Sequence, residues 1–232
     1  MKIMSFNTQH CCDFLKGRVD YQVMADAILK VGADIVGLNE MYDQGSIFGS
    51  QTEKLSKLTG LESYYFAKAC EIHGEGEYGN GLLSRYKILN AKAITIPDPE
   101  PRGYDGYYET RCLLKAELEN GLCVLVCHFG LNPDEHENAV KTIIENLPRE
   151  KCVLMGDFNI TPDNPLLKPI YERMVDTASY FENDGRERKS WPSDKPKVKI
   201  DYIFVTPDIE VVSADVPELV ASDHRPHIAD IK

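Results

Sequence analysis

Apolar residues recur along the chain at two spacings, one typical of helices and one typical of buried strands. Helical spacing predicts helices over 21–31, 51–58, 133–146 and 165–173. Short apolar runs predict strands over 2–6, 33–38, 63–68, 81–83, 88–96, 107–117, 122–127, 152–155, 201–205, 210–214 and 227–231. Gly32 and Gly60 are placed to end the first two helices, and Asn120-Gly121 predicts a hairpin between two strands.

Two polar stretches interrupt this succession of elements. Residues 97–106 are rich in Pro and Gly, and residues 182–199 carry most of the local positive charge. Strands resume the same pattern on both sides of each stretch, so neither is expected to link two domains. We predict one domain over residues 1–232, with sheets packed on each other and covered by helices.

Composition bounds the class of protein. The 232 residues suffice to bury a large core, and 43% hydrophobic with 27% charged residues is ordinary for a globular protein. The net charge of −11 is more informative. Proteins that bind nucleic acid by neutralising many phosphates are usually basic, so this charge disfavours a nucleic-acid partner. A nuclease with a local basic patch stays open.

The cysteines and the chain start bear on the compartment. The seven cysteines show no C-x-x-C spacing and mostly lie in apolar runs, as expected of buried thiols in a reduced protein. No signal-peptide pattern precedes the first strand, and no apolar run approaches the ~20 residues of a membrane span. We therefore expect a cytoplasmic protein without a membrane span, and a monomer.

Four of the predicted buried strands end in polar residues. These ends are Asn7, Asn39-Glu40, His128 and Asp157-Phe158-Asn159. A polar residue that caps a strand is common by itself, so each position alone has a purely structural interpretation. Side chains just past the carboxyl ends of strands in layered α/β proteins converge on one crevice, however, where ligands bind. Four such ends together predict a functional site.

The C-terminal part adds candidates to this set. Asp201 begins a strand, and Ser222-Asp223-His224 precedes the last strand. A carboxylate beside a histidine fixes its tautomer and stabilises its charged form, which is the usual arrangement of a catalytic histidine. The candidates are mostly oxygen ligands, which suit Mg²⁺, with Mn²⁺ as an alternative, whereas zinc would call for clustered His and Cys. A metal, a base and a histidine indicate hydrolysis of a phosphate ester.

In chain order, these residues resemble the motifs of the endonuclease/exonuclease/phosphatase superfamily, which includes the deoxyribonuclease I-like enzymes. The resemblance covers essentially the whole chain. Its specific parts are Asn39-Glu40 near the start, the Gly156–Asn159 motif and Ser222-Asp223-His224 near the end. It implies an α/β fold built as a four-layer α/β/β/α sandwich, with two sheets face to face and helices on both outer faces.

The resemblance also implies roles for the metal and the attacking water. Glu40 would be the principal metal ligand, with Asp223 and Asn7 in or near the coordination sphere. Asp157 would orient or deprotonate the water, and Asn159 would bind the scissile phosphate.

Further roles implied by the resemblance concern charge and phosphate contacts. His224, paired with Asp201, would stabilise the charge of the transition state. His128 would contact the phosphate or assist the leaving group. Asn80 and Arg111 are candidates for phosphate contacts, although Arg111 equally suits a structural salt bridge.

The sequence leaves the substrate open. A phosphodiesterase or phosphatase acting on a small or lipid-derived phosphate leads, a nuclease for DNA or RNA is the alternative, and a silent binding module comes third. One segment combines positive charge with an aromatic residue and is a candidate for gripping a polyanion, unless it is simply a solvated loop. It contains Arg186, Arg188, Lys189, Trp191, Lys195, Lys197 and Lys199. Trp191 is also a candidate for substrate contact, and a loop with Tyr104, Tyr107 and Tyr108 could form a stacking wall.

Overall fold

The computed structural model describes residues 1–232, which form fourteen strands and four α-helices. The strands are β1 (Lys2–Asn7), β2 (Cys12–Asp13), β3 (Arg18–Val19), β4 (Ile35–Asp43), β5 (Ser63–Ile72), β6 (Gly76–Ser84), β7 (Ile88–Thr95), β8 (Cys112–Leu118), β9 (Cys123–His128), β10 (Cys152–Asp157), β11 (Val175–Asp176), β12 (Asp201–Val205), β13 (Val211–Asp215) and β14 (His227–Ile231). The helices are α1 (Tyr21–Val31), α2 (Gln51–Thr59), α3 (Pro133–Asn146) and α4 (Lys168–Tyr171).

Most strands belong to two six-stranded sheets. The first sheet has the order β13-β14-β1-β4-β6-β5 and the second the order β11-β12-β10-β9-β8-β7. In each sheet one central pair is parallel, β1 with β4 and β9 with β10, and the other pairs are antiparallel. The strands β2 and β3 form a small separate hairpin.

Three apolar cores divide the molecule into four layers. The central core of 19 buried residues takes side chains from both sheets, such as Ile35 and Met155. A second core packs α3 against the second sheet, and a third packs α1 and α2 against the first sheet. Alternate side chains of each strand thus enter different cores, as the two faces of a strand require. The predicted four-layer α/β/β/α sandwich is confirmed.

Local sequence signals explain where the helices begin and end. The carboxylate of Asp20 accepts hydrogen bonds from the first backbone N–H groups of α1, and Gly32 ends the helix with a φ of +68°. Helix α3 begins with a capping box, in which Asn132 and Glu135 each accept a backbone N–H of the other residue. These signals lie within a few residues of the element, so the sequence alone predicts them.

The prediction was wrong for the first half of the strand over 107–117, which begins only at Cys112. Residues 107–111 form a loop that is bound to the start of α3. Asn132 donates a side-chain hydrogen bond to the carbonyl oxygen of Tyr107, and the backbone N–H of Glu109 donates to Glu135. These partners replace the hydrogen bonds of a sheet, which explains why strand-forming residues here are not in a strand.

Several other elements differ from their predicted bounds. The strands predicted over 33–38 and 63–68 extend further, as β4 (Ile35–Asp43) and β5 (Ser63–Ile72), and the short strands β2, β3 and β11 were not predicted. The predicted strand over 81–83 is the centre of the nine-residue β6. The predicted helix over 165–173 is a 3-10 turn at Pro165–Leu167 followed by the short α4. No helix combines the length and the apolar character that a membrane span requires.

Candidate active site

The strand ends singled out in the sequence meet at one edge of the two sheets. Asn7 lies beside Asn39 in the parallel pair of β1 and β4. Asp157 lies between His128 on one neighbouring strand and Asp201 on the other. Because the sheets pack face to face, the two strand pairs bring these side chains together across the central core.

A cleft of about 550 Å³ opens at this edge. It is lined by eight of the eleven candidate residues, namely Glu40, Arg111, His128, Asp157, Asn159, Trp191, Asp223 and His224. The other three, Asn7, Asn80 and Asp201, are buried next to this lining. Tyr107 and Trp191, both exposed, form parts of its walls.

Glu40 is aimed into the cleft by an irregularity in its strand. The pairing of β4 with β6 shifts between Leu38 and Met41, and Glu40 adopts a φ of +59°. Left-handed angles are uncommon for residues other than glycine, and such conformations cluster at functional sites. One oxygen of Glu40 accepts a hydrogen bond of 3.0 Å from Asn7 Nδ2, and the other lies 3.6 Å from His10 Nε2.

The donor set of the cleft fits a hard divalent cation. Glu40 and Asp223 both present carboxylate oxygens to it. Burial raises the pKa of Asp223, and the charge of Glu40 raises it further, whereas His224 opposes the rise. A bound cation would offset this repulsion between the two carboxylates. Oxygen ligands are those that Mg²⁺ prefers. Such a cation would polarise a phosphoryl oxygen and neutralise its charge.

The side chain of Asn7 is held by hydrogen bonds, unlike that of a free metal ligand. Its Nδ2 group also donates to Asp157 Oδ2 at 3.1 Å, and its Oδ1 atom accepts a hydrogen bond from the backbone N–H of Gln9. The side chain thereby joins the carboxylate of Glu40 to the carboxylate of Asp157. Its place in a coordination sphere stays a prediction.

His224 carries a positive charge at neutral pH. Its Nδ1 atom donates to Asp201 Oδ2 at 2.8 Å, and its Nε2 atom lies 3.6 Å from Asp157 Oδ2. Burial opposes the charge, but the carboxylates of Asp201 and Asp157 outweigh it and raise the pKa of His224 to about 10. His224, Asp157 and Asp201 lie close enough to hold a metal ion. Because Asp201 already occupies Nδ1, we interpret the cluster as a hydrogen-bonded pair of His224 and Asp201 with the carboxylate of Asp157 beside it.

The pKa of Asp157 is also raised, which in a carboxyl group favours the neutral form. Burial raises its pKa to about 7, although the charge of His224 acts to lower it. Its Oδ1 atom accepts the backbone N–H of Asn159 at 2.9 Å. A carboxylate whose pKa lies near neutrality suits a general base, since it accepts a proton more readily than an ordinary aspartate.

His128 is neutral at the same pH. Burial, followed by the charge of Arg111, holds the pKa of His128 well below its usual range. Its Nδ1 atom lies 2.8 Å from Arg111 Nη1, and its Nε2 atom lies 3.6 Å from Asp157 Oδ2. Arg111 is also paired with Glu109 at 2.8 Å. Arg111 therefore forms a structural salt bridge, as one interpretation of the sequence expected. A phosphate contact of Arg111 stays a prediction.

The two candidate asparagines lie at different depths. Asn159 lines the cleft and donates from Nδ2 to the carbonyl oxygen of Phe129 at 3.1 Å. Asn80 is 2% exposed and is hydrogen-bonded to Asn39 and to the carbonyl oxygen of Cys112. The structure thus places Asn80 beneath the site, where it supports Asn39.

The sequence analysis missed several residues around the cleft, including Glu109, Tyr78 and His10. Glu109 precedes Arg111 by two residues, a spacing that a strand interpretation left without significance. His10 lies in a turn where three consecutive residues have positive φ angles, which ordinary propensities do not predict. The left-handed turn itself is the missing signal, and it is visible only in the structure.

Most charges of the basic segment are neutralised within the protein. Arg186 and Arg188 both pair with Asp184 and Asp215. Lys199 is buried against Asp176 and the ring of Tyr202. Lys189 pairs with Glu187, so the exposed Lys195 and Lys197 are the remaining cations. The segment therefore offers a polyanion much less unpaired positive charge than its composition indicates.

Trp191 is fixed at the wall of the cleft. Its backbone pairs with Val198, and its indole Nε1–H donates to Asp223 Oδ2 at 3.4 Å. The neighbouring Ser193 donates from its backbone to the carbonyl oxygen of Asp223. The loop is therefore attached to the segment that carries Asp223 and His224.

An α/β/β/α sandwich with a buried cluster of carboxylates and a histidine in a cleft at one end agrees with the fold and the site that the sequence motifs indicated. The chain belongs to the endonuclease/exonuclease/phosphatase family, whose model matches residues 4–224. It is 24% identical over 254 aligned residues to Uncharacterized protein YbhP of Escherichia coli strain K12, an alignment that covers 99% of this chain and 95% of YbhP.

Solved structures share the fold over the full chain. An endonuclease/exonuclease/phosphatase from Beutenbergia cavernae DSM 12333 superposes with a TM-score of 0.80 and 20% identity, covering 100% of this chain and 71% of that one. A mannosyl-6-phosphatase from Bacteroides thetaiotaomicron VPI-5482 gives a TM-score of 0.79 at 16% identity, covering 100% and 99%. At such identities the likeness concerns the fold.

Proposed function

We propose that this protein is a divalent-metal-dependent hydrolase of small phosphate esters, in which water attacks phosphorus in line with the leaving oxygen. One observation carries the proposal. Asp157, with a pKa of about 7, and His224, with a pKa of about 10, face each other at 3.6 Å in one cleft. In this pair a carboxylate that titrates near neutrality can act as a base, beside a histidine that stays charged and can stabilise negative charge.

Each side chain has a distinct task in this proposal. Asp157 accepts a proton from the attacking water, and its hydrogen bond from Asn7 keeps the carboxylate in place. His224, oriented by Asp201, stabilises the negative charge that develops on the phosphoryl oxygens. Glu40 and Asp223 would hold the cation. This division suits phosphoryl transfer, which depends mainly on positioning and charge stabilisation.

Three features favour a small ester over a nucleic acid. The net charge is −11, and most of the basic segment is paired within the protein. The cleft of about 550 Å³ has the size of a small-molecule pocket. The mannosyl-6-phosphatase with the same fold shows that sugar phosphates belong in a substrate panel.

The test is a panel of phosphate esters assayed with Mg²⁺, with Mn²⁺ and with EDTA. It contains an aryl diester, an aryl monoester, sugar phosphates, a supercoiled plasmid assayed for nicking, and an abasic oligonucleotide. We expect metal-dependent turnover of small esters that EDTA abolishes. Plasmid cleavage faster than every small ester would favour the nuclease alternative, and no turnover of any ester would refute the proposal.

Asp157→Asn should reduce kcat on the best ester by about 10²–10⁴-fold, because an amide cannot accept the proton of water. The substitution preserves size, so the melting temperature should change little. Asp163→Asn, at an exposed position, is the matched control and should retain full activity. Undiminished turnover of Asp157→Asn would remove Asp157 from the role of base.

A further inference from the structure

The two histidines of the cleft face chemically opposite partners at Nδ1. His224 Nδ1 lies 2.8 Å from a carboxylate oxygen of Asp201, and His128 Nδ1 lies 2.8 Å from Nη1 of Arg111. A carboxylate accepts, so Nδ1 of His224 carries a hydrogen. A guanidinium has five N–H donors and no acceptor. Nδ1 of His128 must therefore be the acceptor, and it carries no hydrogen.

The position of the remaining proton follows. A neutral imidazole has one N–H, and with Nδ1 bare the hydrogen of His128 is on Nε2. That atom faces the cleft, 3.6 Å from Asp157 Oδ2. A second proton on Nδ1 would point directly at a cation. The ring thus presents a fixed N–H donor to whatever occupies the cleft.

Arg111 cannot turn away from His128, because other groups hold it. Nη1 is also 2.8 Å from Glu109 Oε2 and 3.2 Å from the hydroxyl of Tyr78. The guanidinium carbon lies 5.7 Å from the centre of the Tyr78 ring, and the side chain is 9% exposed. A buried arginine that lost Glu109 would lose the compensation for its desolvated charge. The pair therefore stays together.

One contact acts against this tautomer. Asn159 Nδ2, a donor, lies 3.3 Å from His128 Nε2. The same Nδ2 has an acceptor in the carbonyl oxygen of Phe129 at 3.1 Å, so it does not need the ring nitrogen. The contact with Arg111 is shorter and involves a full charge. It decides the tautomer, because reversing the ring would place two donors against each other at 2.8 Å.

We infer that His128 is a permanently neutral hydrogen-bond donor to a phosphoryl oxygen, and that Arg111, held by Glu109, is the positioning residue that fixes this tautomer. The inference rests on the proposed hydrolase function. Of the two roles that the family resemblance implies for His128, it selects the phosphate contact over assistance to the leaving group. The N–H bond of Nε2 is neither made nor broken during turnover, so the leaving oxygen takes its proton from solvent water or from His224.

Nitrogen NMR of ¹⁵N-histidine-labelled protein tests the tautomer directly, with the His128 signals assigned by their loss in His128→Gln. We expect a bare Nδ1 and a protonated Nε2 in the wild type at pH 7. Arg111→Met should give a mixture of tautomers. Arg85→Met removes an exposed arginine that pairs with Asp34, and this control should retain the wild-type signals. A hydrogen on Nδ1 in the wild type would overturn the inference.

Kinetics separate a fixed donor from a proton donor. The amide of His128→Gln can donate a hydrogen bond but cannot transfer a proton, whereas His128→Ala does neither. We expect His128→Gln to stay within roughly tenfold of the wild-type kcat, and His128→Ala to lose about 10²–10³-fold, as on removal of one oxyanion donor. If both variants, folded by circular dichroism, lose kcat equally, His128 transfers a proton and the inference is wrong.

The two measurements also distinguish this inference from the proposed function. If no ester is hydrolysed although Nδ1 is bare, the proposed function fails, and the role of the donor fails with it. If esters are hydrolysed and Nδ1 carries a hydrogen, only the present inference fails.

Discussion

Burial changes the chemistry of Asp157 more than its sequence neighbours do. An aspartate normally has a pKa near 4, and its conjugate base is weak. Enclosed at the end of β10, Asp157 has a pKa of about 7 because the charged form is desolvated. His224 limits the rise. The balance between burial and one cation therefore sets how strong a base the site contains.

Asp201 should control the alkaline limit of activity. In the proposed mechanism the charged form of His224 is the active one, so activity should fall as pH rises through its pKa of about 10. Asp201→Asn removes the carboxylate that raises this pKa and leaves an acceptor oxygen for Nδ1. In a plot of kcat against pH, the alkaline limb should shift to lower pH by about one to three pH units, the usual effect of one adjacent charge.

The pH profile of kcat, measured for wild type and Asp201→Asn on one ester, checks this expectation. Asp194→Asn, at an exposed position in the basic segment, is the control and should leave the limb unmoved. A limb that stays in place in Asp201→Asn would show that another group sets it.

At the scale of elements, Asn39 joins the two sheets. It belongs to β4, yet its Nδ2 donates to the carbonyl oxygen of Cys127 on β9 at 3.1 Å. Its Oδ1 accepts the backbone N–H of Asp157 on β10 at 3.0 Å. Asn39, Cys127 and Asp157 are all buried, so these bonds are each needed to satisfy a buried polar group. They also fix the position of Asp157 relative to Glu40.

Asn39→Ala should destabilise the protein by about 3 kcal/mol, because each buried partner left without a hydrogen bond costs about 1–3 kcal/mol. Activity should fall as well, since Asp157 loses its backbone anchor. Urea unfolding gives the free energy of unfolding. Asn90→Ala, at an exposed position on β7, should change it by less than about 0.5 kcal/mol. Equal effects of the two substitutions would contradict the assigned role.

The loop between β7 and β8 shows where element prediction fails. Residues 107–111 have the composition of a strand, but hydrogen bonds to Asn132 and Glu135 hold them outside the sheet. This loop carries Glu109 and Arg111 into the cleft. No local signal predicts that, because the partners lie more than twenty residues later in the chain.

For the whole molecule, His227 links stability to pH. It is fully buried between Thr177, whose hydroxyl lies 3.0 Å from Nε2, and the carbonyl oxygen of Asp201. Burial and the nearby charge of Lys199 lower its pKa to about 4. The unfolded chain therefore binds a proton at higher pH than the folded one. The stability that this histidine contributes is complete above pH ~6.5 and is lost as pH falls towards 4.

A pKa difference of this size corresponds to about 3 kcal/mol. The contribution of His227, measured as the difference in free energy of unfolding between the wild type and His227→Gln, should fall by up to that amount between pH ~6.5 and 4. The raised pKa of Asp157 acts in the opposite direction, but equally in both proteins. His227→Gln should be less stable at pH 7 but should show a shallower decline. His73→Gln, at an exposed position, should keep the wild-type decline. A His227→Gln profile parallel to the wild type would assign the acid sensitivity to other groups.

The sequence by itself determined the sandwich, most of its strands and helices, and the residues that end its central strands. The strands, helices and strand ends depend on periodicity and on caps within a few residues, which are local properties. The four-layer arrangement was implied by the resemblance of the motifs to a known family. Glu40, Asp157 and His128 were found because buried strands end at them, and His224 because a carboxylate stands beside it just before the last strand.

Only the tertiary structure decided what those residues are chemically. The difference between a charged His224 and a neutral His128 comes from Asp201 facing one and Arg111 facing the other. The placement of Asn80 beneath the site and the neutralisation of the basic segment come likewise from distant partners. Charge and hydrogen-bond direction depend on neighbours in space and on burial, and a linear pattern contains neither.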